Sequence, residues 1–277
     1  MNPWDYKAAE LLSEDSAFPF VLGVDFAGFL ERVPPGQHEL HAGDRVFGMA
    51  RTHGSYAEYT AVVPGGKTEP VAVIPDALSD KQAAALPIPA LAALHSLDLL
   101  GVGEDTNLVV IGGAGVVGGY AVQMARARGA HVIATVRGDT DEAHRLGAEE
   151  VYDSDAGDVA EALRASYPEG VDAVLDLVNG PDAIRGDAEF LKPRGSIVST
   201  IYAADEQWFA ERDISARNFA SNANPLSSPA GLDQVARMLA VGTITARIGA
   251  TVNLDEAPLI YERLRDGDIR GKALIRI

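Results

Sequence analysis

From Asn107 onward, short apolar runs alternate with segments of mixed polarity that carry helical spacing. The runs are Leu108–Ile111, Val132–Thr135, Val171–Leu175 and Ser196–Ser199. Between them lie Gly118–Gly129, Asp141–Leu146, Asp158–Ser166 and a segment around Ala183–Leu191, each predicted helical. Strands that are apolar on both faces and separated by helices predict a parallel sheet covered on both sides. Asn218–Asn222 is a further candidate strand, ahead of a turn at Asn224-Pro225.

The first ninety residues carry a different rhythm, β-rich and interrupted by turns. Gly23–Leu30 predicts a strand, Pro34-Pro-Gly36 breaks it, and Ala42–Gly48 starts another after a turn. Tyr56–Val63 is a third β-prone run, closed by Pro64-Gly-Gly66. Ser79-Asp-Lys-Gln82 has the form of a helix N-cap with a capping-box glutamine, and Ala90–Leu100 continues as a helix. The tail predicts a helix over Leu232–Val241, a strand over Ile244–Val252, a helix over Asp255–Arg265 and a last strand over Ala273–Ile277.

Composition narrows what such a chain can do. A formal net charge of −17 repels phosphate backbones and anionic lipid, which argues against nucleic-acid and membrane partners. Absence of cysteine excludes disulfides, iron–sulfur clusters, thiolate zinc sites and a cysteine nucleophile together. The longest apolar stretch, Ala83–Leu94, is interrupted by Pro87 and Pro89 and falls short of the ~20 residues that span a bilayer. No charged-then-apolar signal segment opens the chain, so a cytoplasmic location is expected.

The strongest local signal is Gly113-Ala-Gly115-Val-Val-Gly118, placed directly after an apolar strand and before an amphipathic helix. In such a turn the first glycine permits the tight bend and the second lets the backbone approach a pyrophosphate. The third lets helix and strand pack closely. The helix N-terminus then offers N–H groups and partial positive charge to phosphates. Gly113, Ala114, Gly115, Val116, Val117 and Gly118 are therefore the expected dinucleotide contacts. An NAD site usually ends its second strand with Asp or Glu to hold the ribose 2′-hydroxyl. Here Val136 stands there and Arg137 follows, a guanidinium suited to a 2′-phosphate, so NADPH is expected over NADH. Asp139, Asp141 and Glu142 put opposing negative charge on the same loop.

With these residues placed, the chain resembles the medium-chain dehydrogenase/reductase superfamily, in its zinc-free quinone/enone oxidoreductase branch. The resemblance rests on Asn2-Pro-Trp-Asp-Tyr-Lys7, Gly23-Val-Asp-Phe-Ala-Gly28, Ala42-Gly-Asp-Arg-Val-Phe-Gly48 and Gly54-Ser-Tyr-Ala-Glu-Tyr59. Ala84-Ala-Leu-Pro87, the glycine turn and Arg270-Gly-Lys-Ala-Leu-Ile-Arg276 complete it, seven motifs in the family's order. It implies an α/β chain: a Rossmann doubly wound parallel sheet plus a β-rich GroES-like domain built from both chain ends. The expected boundaries are 1–92 for the catalytic domain, 93–228 for the Rossmann domain and 229–277 for the return. The resemblance also implies a homodimer and a small electrophilic substrate.

Residue by residue, the resemblance makes Asn2, Tyr6 and Lys7 the candidate catalytic donors, and Val178, Thr200, Ile201 and Tyr202 the lining of the nicotinamide end. Zinc-dependent relatives carry Cys and a Gly-His-Glu run where this chain has Gly23-Val-Asp25. No metal is therefore expected, and the histidines at 38, 41, 53, 95, 131 and 144 show no ligand spacing. Ala92 stands where relatives often have Thr. Asp141 and Ser154 stand where they often have Lys and Tyr. Family members usually carry about thirty residues, enough for several strands, before the Asn-Pro motif. Here Asn2 follows Met1, so the first strands of the catalytic domain are expected to be missing.

The expected activity is zinc-independent hydride transfer from NADPH to a quinone or α,β-unsaturated carbonyl. The alternative is a non-redox nucleotide-binding sensor or assembly protein on the same fold. A serine hydrolase is disfavoured, because no Gly-x-Ser-x-Gly elbow occurs.

Overall fold

The computed structural model describes all residues except 11–19, 37–38, 52–53, 64–68 and 220–224. The chain divides into two compact units, Met1–Leu91 with Pro225–Ile277, and Ala92–Asn224.

The first unit opens with helix α1 (Pro3–Glu10) and strands β1 (Asp25–Phe29), β2 (Arg45–Met49) and β3 (Val71–Val73). These strands form an antiparallel sheet in the order β1-β2-β3. The predicted strand at Tyr56–Val63 does not form. Its polar groups are taken locally instead: the Tyr56 amide donates to the Leu22 carbonyl, Thr60 Oγ1 to the Gly54 carbonyl, and the Val63 amide to the Glu69 carboxylate. Side-chain and loop acceptors of this kind compete with a ladder and here replace it. The closing Pro64–Gly66 lies outside the described residues.

Helices α2 (Asp80–Ala84) and α3 (Pro87–Leu99) follow. The capping box forms as the spacing predicts, Gln82 N donating to Ser79 Oγ and Ser79 N to Gln82 Oε1. Pro87 opens α3, where the missing N–H costs nothing.

The second unit runs β4 (Asn107–Ile111), α4 (Val116–Ala127), β5 (His131–Val136), α5 (Thr140–Leu146), β6 (Glu150–Asp153), α6 (Val159–Ser166) and β7 (Val171–Asp176). After a 3-10 turn at Ile184–Phe190 come β8 (Leu191–Ser199), α7 (Glu206–Ala210) and β9 (Ser215–Asn218). The predicted helix at Ala183–Leu191 is thus a tighter 3-10 coil. The last candidate strand lies earlier than Asn218–Asn222, and residues 220–222 are outside the described set. Among the described residues the sheet has six parallel strands in the order β6-β5-β4-β7-β8-β9. Renumbered within the unit, that is 3-2-1-4-5-6, the doubly wound order. Val109, Ile133, Val174 and Ile197 form one fully buried row across four strands, packed with Leu163 and Phe209. Burying side chains of this size contributes about 1.5–3 kcal/mol each.

Helix α8 (Pro229–Ala240), β10 (Ile248–Asn253), α9 (Ala257–Arg265) and β11 (Lys272–Arg276) return to the first unit. Ser228 caps α8 by accepting the Gly231 N–H. Strands β10 and β11 pair in parallel, and β10 begins four residues later than the predicted Ile244. No helix of the described residues is long and apolar enough to cross a membrane.

At the start of β5 the His131 ring bridges elements of the second unit, lying 2.7 Å from the Glu149 carboxylate and 3.0 Å from both Glu150 and the Tyr167 hydroxyl. Burial works against the charged ring, but hydrogen bonds to Glu150 and Glu149 outweigh it and raise the His131 pKa. Glu150 moves the other way: burial raises its pKa, but hydrogen bonds from Tyr167, His131 and Tyr152 lower it on balance. The histidine contribution is therefore complete below about pH 6.5 and is lost as pH rises through the raised value. That of Glu150 is complete above its unfolded value near 4.5 and is lost on acidification. His131→Gln should cost more stability near pH 6 than near pH 9, measured by denaturant unfolding of both proteins at each pH. Equal costs at the two pH values would remove the ion cluster from the account.

Candidate functional site

In a doubly wound sheet the two halves wind in opposite directions, leaving a crevice at the carboxyl ends of the central strands. Here those strands are β4 and β7. The glycine turn leaves β4 at that place. Gly112 takes φ +86°, and the amides of Gly112 and Gly113 both donate to the Thr135 carbonyl of β5. Gly115 is the N-cap of α4 and brings no side chain to its first N–H groups. A helix that begins without a side-chain cap can accept an anion there, and the twelve-residue α4 adds its dipole.

Space around the turn is set by its own backbone and by Ala134 of β5. A Cβ at Gly118 would stand 2.2 Å from the Gly112 carbonyl oxygen, and one at Gly113 would stand 2.7 Å from Ala134 Cβ. A Cβ at Gly115 would meet only the Gly112 oxygen, at 3.1 Å. The turn is thus a cradle that side chains would fill, and it fits a pyrophosphate.

The remaining predicted contacts fall around it within the second unit. Arg137 follows β5 with its side chain 84% exposed, 3.7 Å from Asp155 Oδ1. The Gly138 amide donates to Asp153 Oδ1, and Ser154 Oγ donates to the Val136 carbonyl. Val178 follows β7. Thr200, Ile201 and Tyr202 follow β8, with the Thr200 amide bonded to the Asp176 carbonyl. Val178, Ile201 and Tyr202 are large apolar side chains left exposed at the carboxyl end of the sheet.

The three candidate donors belong to the first unit and differ in setting. Lys7 is exposed on α1 and Tyr6 half-buried. Asn2 is buried, its Nδ2 donating to Asp25 Oδ2 (2.9 Å) and its Oδ1 accepting from Lys272 Nζ (2.6 Å). Lys272 Nζ also donates to Asp25 Oδ2 at 2.5 Å, and Asp25 Oδ1 accepts the Ile88 amide at 3.0 Å. Nearby, Tyr56 donates to Asp5 Oδ2 at 2.6 Å. Burial and then the Asp5 charge push the Tyr56 phenol far above its ordinary range, so it remains a donor.

The sequence motifs assign no role to the Lys272 or Asp25 side chain. The signal was present, since a Lys and an Asp each embedded in an apolar β run must find a partner if buried. Likewise missed was a pair of buried carboxyl groups, Asp176 and Asp187, beside the glycine turn. Among the described residues no group of three or more His, Asp or Glu is arranged to hold a metal ion.

Two family models match the chain. One described as "Alcohol dehydrogenase GroES-like domain" matches residues 1–76, and one described as "Zinc-binding dehydrogenase" matches residues 116–223. Quinone oxidoreductase of Rattus norvegicus is 30% identical over 205 residues, covering 72% of this chain and 60% of that protein. The 2-methylene-furan-3-one reductase of Solanum lycopersicum is 35% identical over 136 residues, covering 46% of this chain and 34% of that protein. The matches thus span roughly a third to three-fifths of these curated relatives. Among solved structures, the quinone oxidoreductase from Coxiella burnetii superposes with a TM-score of 0.86 at 27% identity, covering 100% of this chain and 87% of that one.

Proposed function

From the premise that the chain belongs to the medium-chain dehydrogenase/reductase superfamily, we propose that it is an NAD(P)H-dependent oxidoreductase acting on a quinone or an α,β-unsaturated carbonyl. We further propose that it prefers NADPH and works without zinc. The observation that carries the reading is the glycine turn at the switch point of a 3-2-1-4-5-6 sheet, opening onto the uncapped start of α4. The substrate class rests on the likeness to proteins named as quinone oxidoreductases and as a 2-methylene-furan-3-one reductase. Zinc independence rests on the sequence, which has no cysteine and carries Val24 where zinc-dependent relatives have His.

When bound, a reduced nicotinamide supplies hydride to an electron-poor carbon. The chain's own residues bind, orient and polarise. Gly113–Gly118 and the first N–H groups of α4 receive the pyrophosphate. Arg137 receives the 2′-phosphate. Val178 and Thr200–Tyr202 line the nicotinamide end and exclude water. Asn2, Tyr6 and Lys7 are the proposed donors to the oxygen on which enolate charge develops, with Asn2 oriented by Asp25 and Lys272. A homodimer and a cytoplasmic setting remain part of the proposal.

Arg137→Ala tests the cofactor preference. Losing charge-assisted hydrogen bonds of about 1.5–3 kcal/mol should weaken NADPH binding about 10- to 100-fold and leave NADH unchanged, read by fluorescence titration. An unaltered NADPH-to-NADH affinity ratio would remove the 2′-phosphate reading. Saturable NADPH oxidation by a quinone or enone panel tests the reaction itself. Tight nucleotide binding with no turnover across that panel would favour the non-redox alternative.

A further inference from the structure

Asp176 ends β7 at the switch point and is fully buried. Its Oδ1 accepts two backbone amides, Val178 N–H at 2.8 Å and Asn179 N–H at 2.9 Å, folding the chain back after the strand. That turn lies beside the glycine turn: a Cβ added to Gly112 would lie 3.1 Å from Val178 Cγ1. The second oxygen, Oδ2, is buried without a donor unless one comes from Asp187.

Asp187 sits in the 3-10 turn, 5% exposed, with its carboxyl group against that of Asp176. Two buried carboxylates in contact repel, and one proton shared between them turns repulsion into a strong hydrogen bond. Asn179 Nδ2 approaches both Asp187 oxygens only at 3.4 Å, too long to neutralise a buried anion. Charged neighbours are engaged elsewhere, Arg164 of α6 with Glu189 and Arg185 with Asp205. Among the described residues no third carboxylate or histidine joins the pair as a metal site would require.

We propose that Asp187 is a positioning residue for the dinucleotide: as a neutral acid it donates to Asp176 Oδ2, and so holds the Val178–Asn179 turn against the glycine turn. Loss of that proton sets two anions against each other, frees the turn and loosens the nucleotide. The latch rests on the dinucleotide reading only for its consequence, since the carboxyl pair itself can be tested without ligand. Burial, and then the Asp176 charge, push the Asp187 acid up to about 9, which places the transition on the alkaline side.

The test follows amide hydrogen exchange at Val178 and Asn179, and NADPH affinity, across the alkaline range in wild type, Asp187→Asn and Asp187→Ala. Asn can donate to Asp176 but cannot ionise. Wild type should lose protection at these amides and about tenfold in affinity as pH passes 9, while Asp187→Asn holds both. Asp187→Ala should show the weakened state at every pH. Identical pH profiles in wild type and Asp187→Asn would overturn the latch. If exchange follows the expected pattern while no protein binds NADPH, the latch stands and the dinucleotide reading fails. If NADPH binds but neither readout depends on pH, the reverse holds.

Discussion

Gly118→Ala should abolish tight dinucleotide binding, with affinity falling on the order of 100-fold, because the turn and α4 can no longer touch. The new methyl would stand 2.2 Å from the Gly112 oxygen, 2.9 Å from its carbonyl carbon and 2.9 Å from Gly113 Cα, all backbone atoms. None can rotate away, so the turn must move by about 1 Å, taking its phosphate-facing amides with it. Alanine gains about 1 kcal/mol of helix propensity over glycine, and overpacking of this kind costs about 1–3 kcal/mol. The clash wins, and a modest loss of stability should accompany the loss of binding. Gly115→Ala separates the two effects. Its methyl meets only the Gly112 oxygen, at 3.1 Å, so the fold should be nearly unchanged while the approach of a pyrophosphate is blocked. Both variants are read by nucleotide titration beside thermal unfolding. A Gly118→Ala protein that bound NADPH like wild type would refute the cradle.

The features that were legible in the sequence are those whose causes are local. Four apolar runs became β4, β5, β7 and β8 because strands covered on both faces need no polar positions. The capping box at Ser79 needed only four residues, and the glycine turn needed six. Illegible features depend on partners far away in the chain. Tyr56–Val63 has strand-forming residues, yet Leu22 and Glu69 take its amides. The short strands β3 and β6 and the helix α7 carry too few residues for a period to emerge. Asp176 and Asp187 are eleven residues apart with a turn between, and no pattern marks two acids as buried against each other. The charge pair that anchors the other unit did leave a signal, a Lys and an Asp each within an apolar run, but its members are 247 residues apart and nothing local pairs them.

That pair carries the second large effect. Lys272 and Asp25 have side chains 1% and 3% exposed, so their charges are held by each other, by Asn2 and, at Asp25, by the Ile88 amide rather than by water. Removing one partner leaves the other charge buried without compensation, which typically costs about 3–5 kcal/mol, whereas removing both at once costs far less. Lys272→Met keeps most of the aliphatic bulk and should lower the thermal midpoint by roughly 10 °C, taking about 2–4 °C per kcal/mol for a chain of this size. In the double variant Lys272→Met/Asp25→Asn the residue at 25 still accepts the Ile88 amide through its carbonyl oxygen, and neither member of the pair is left charged. A large part of the midpoint should return, and the double-mutant cycle then isolates the coupling. Nucleotide contacts are expected on the other unit, so NADPH affinity measured below the midpoint should stay within about twofold of wild type in both variants. Asn2 loses one of its two fixed partners in Lys272→Met, and turnover should fall further than binding does. A midpoint unchanged in the single variant would mean that the buried ammonium is not what holds β11 and β1 together.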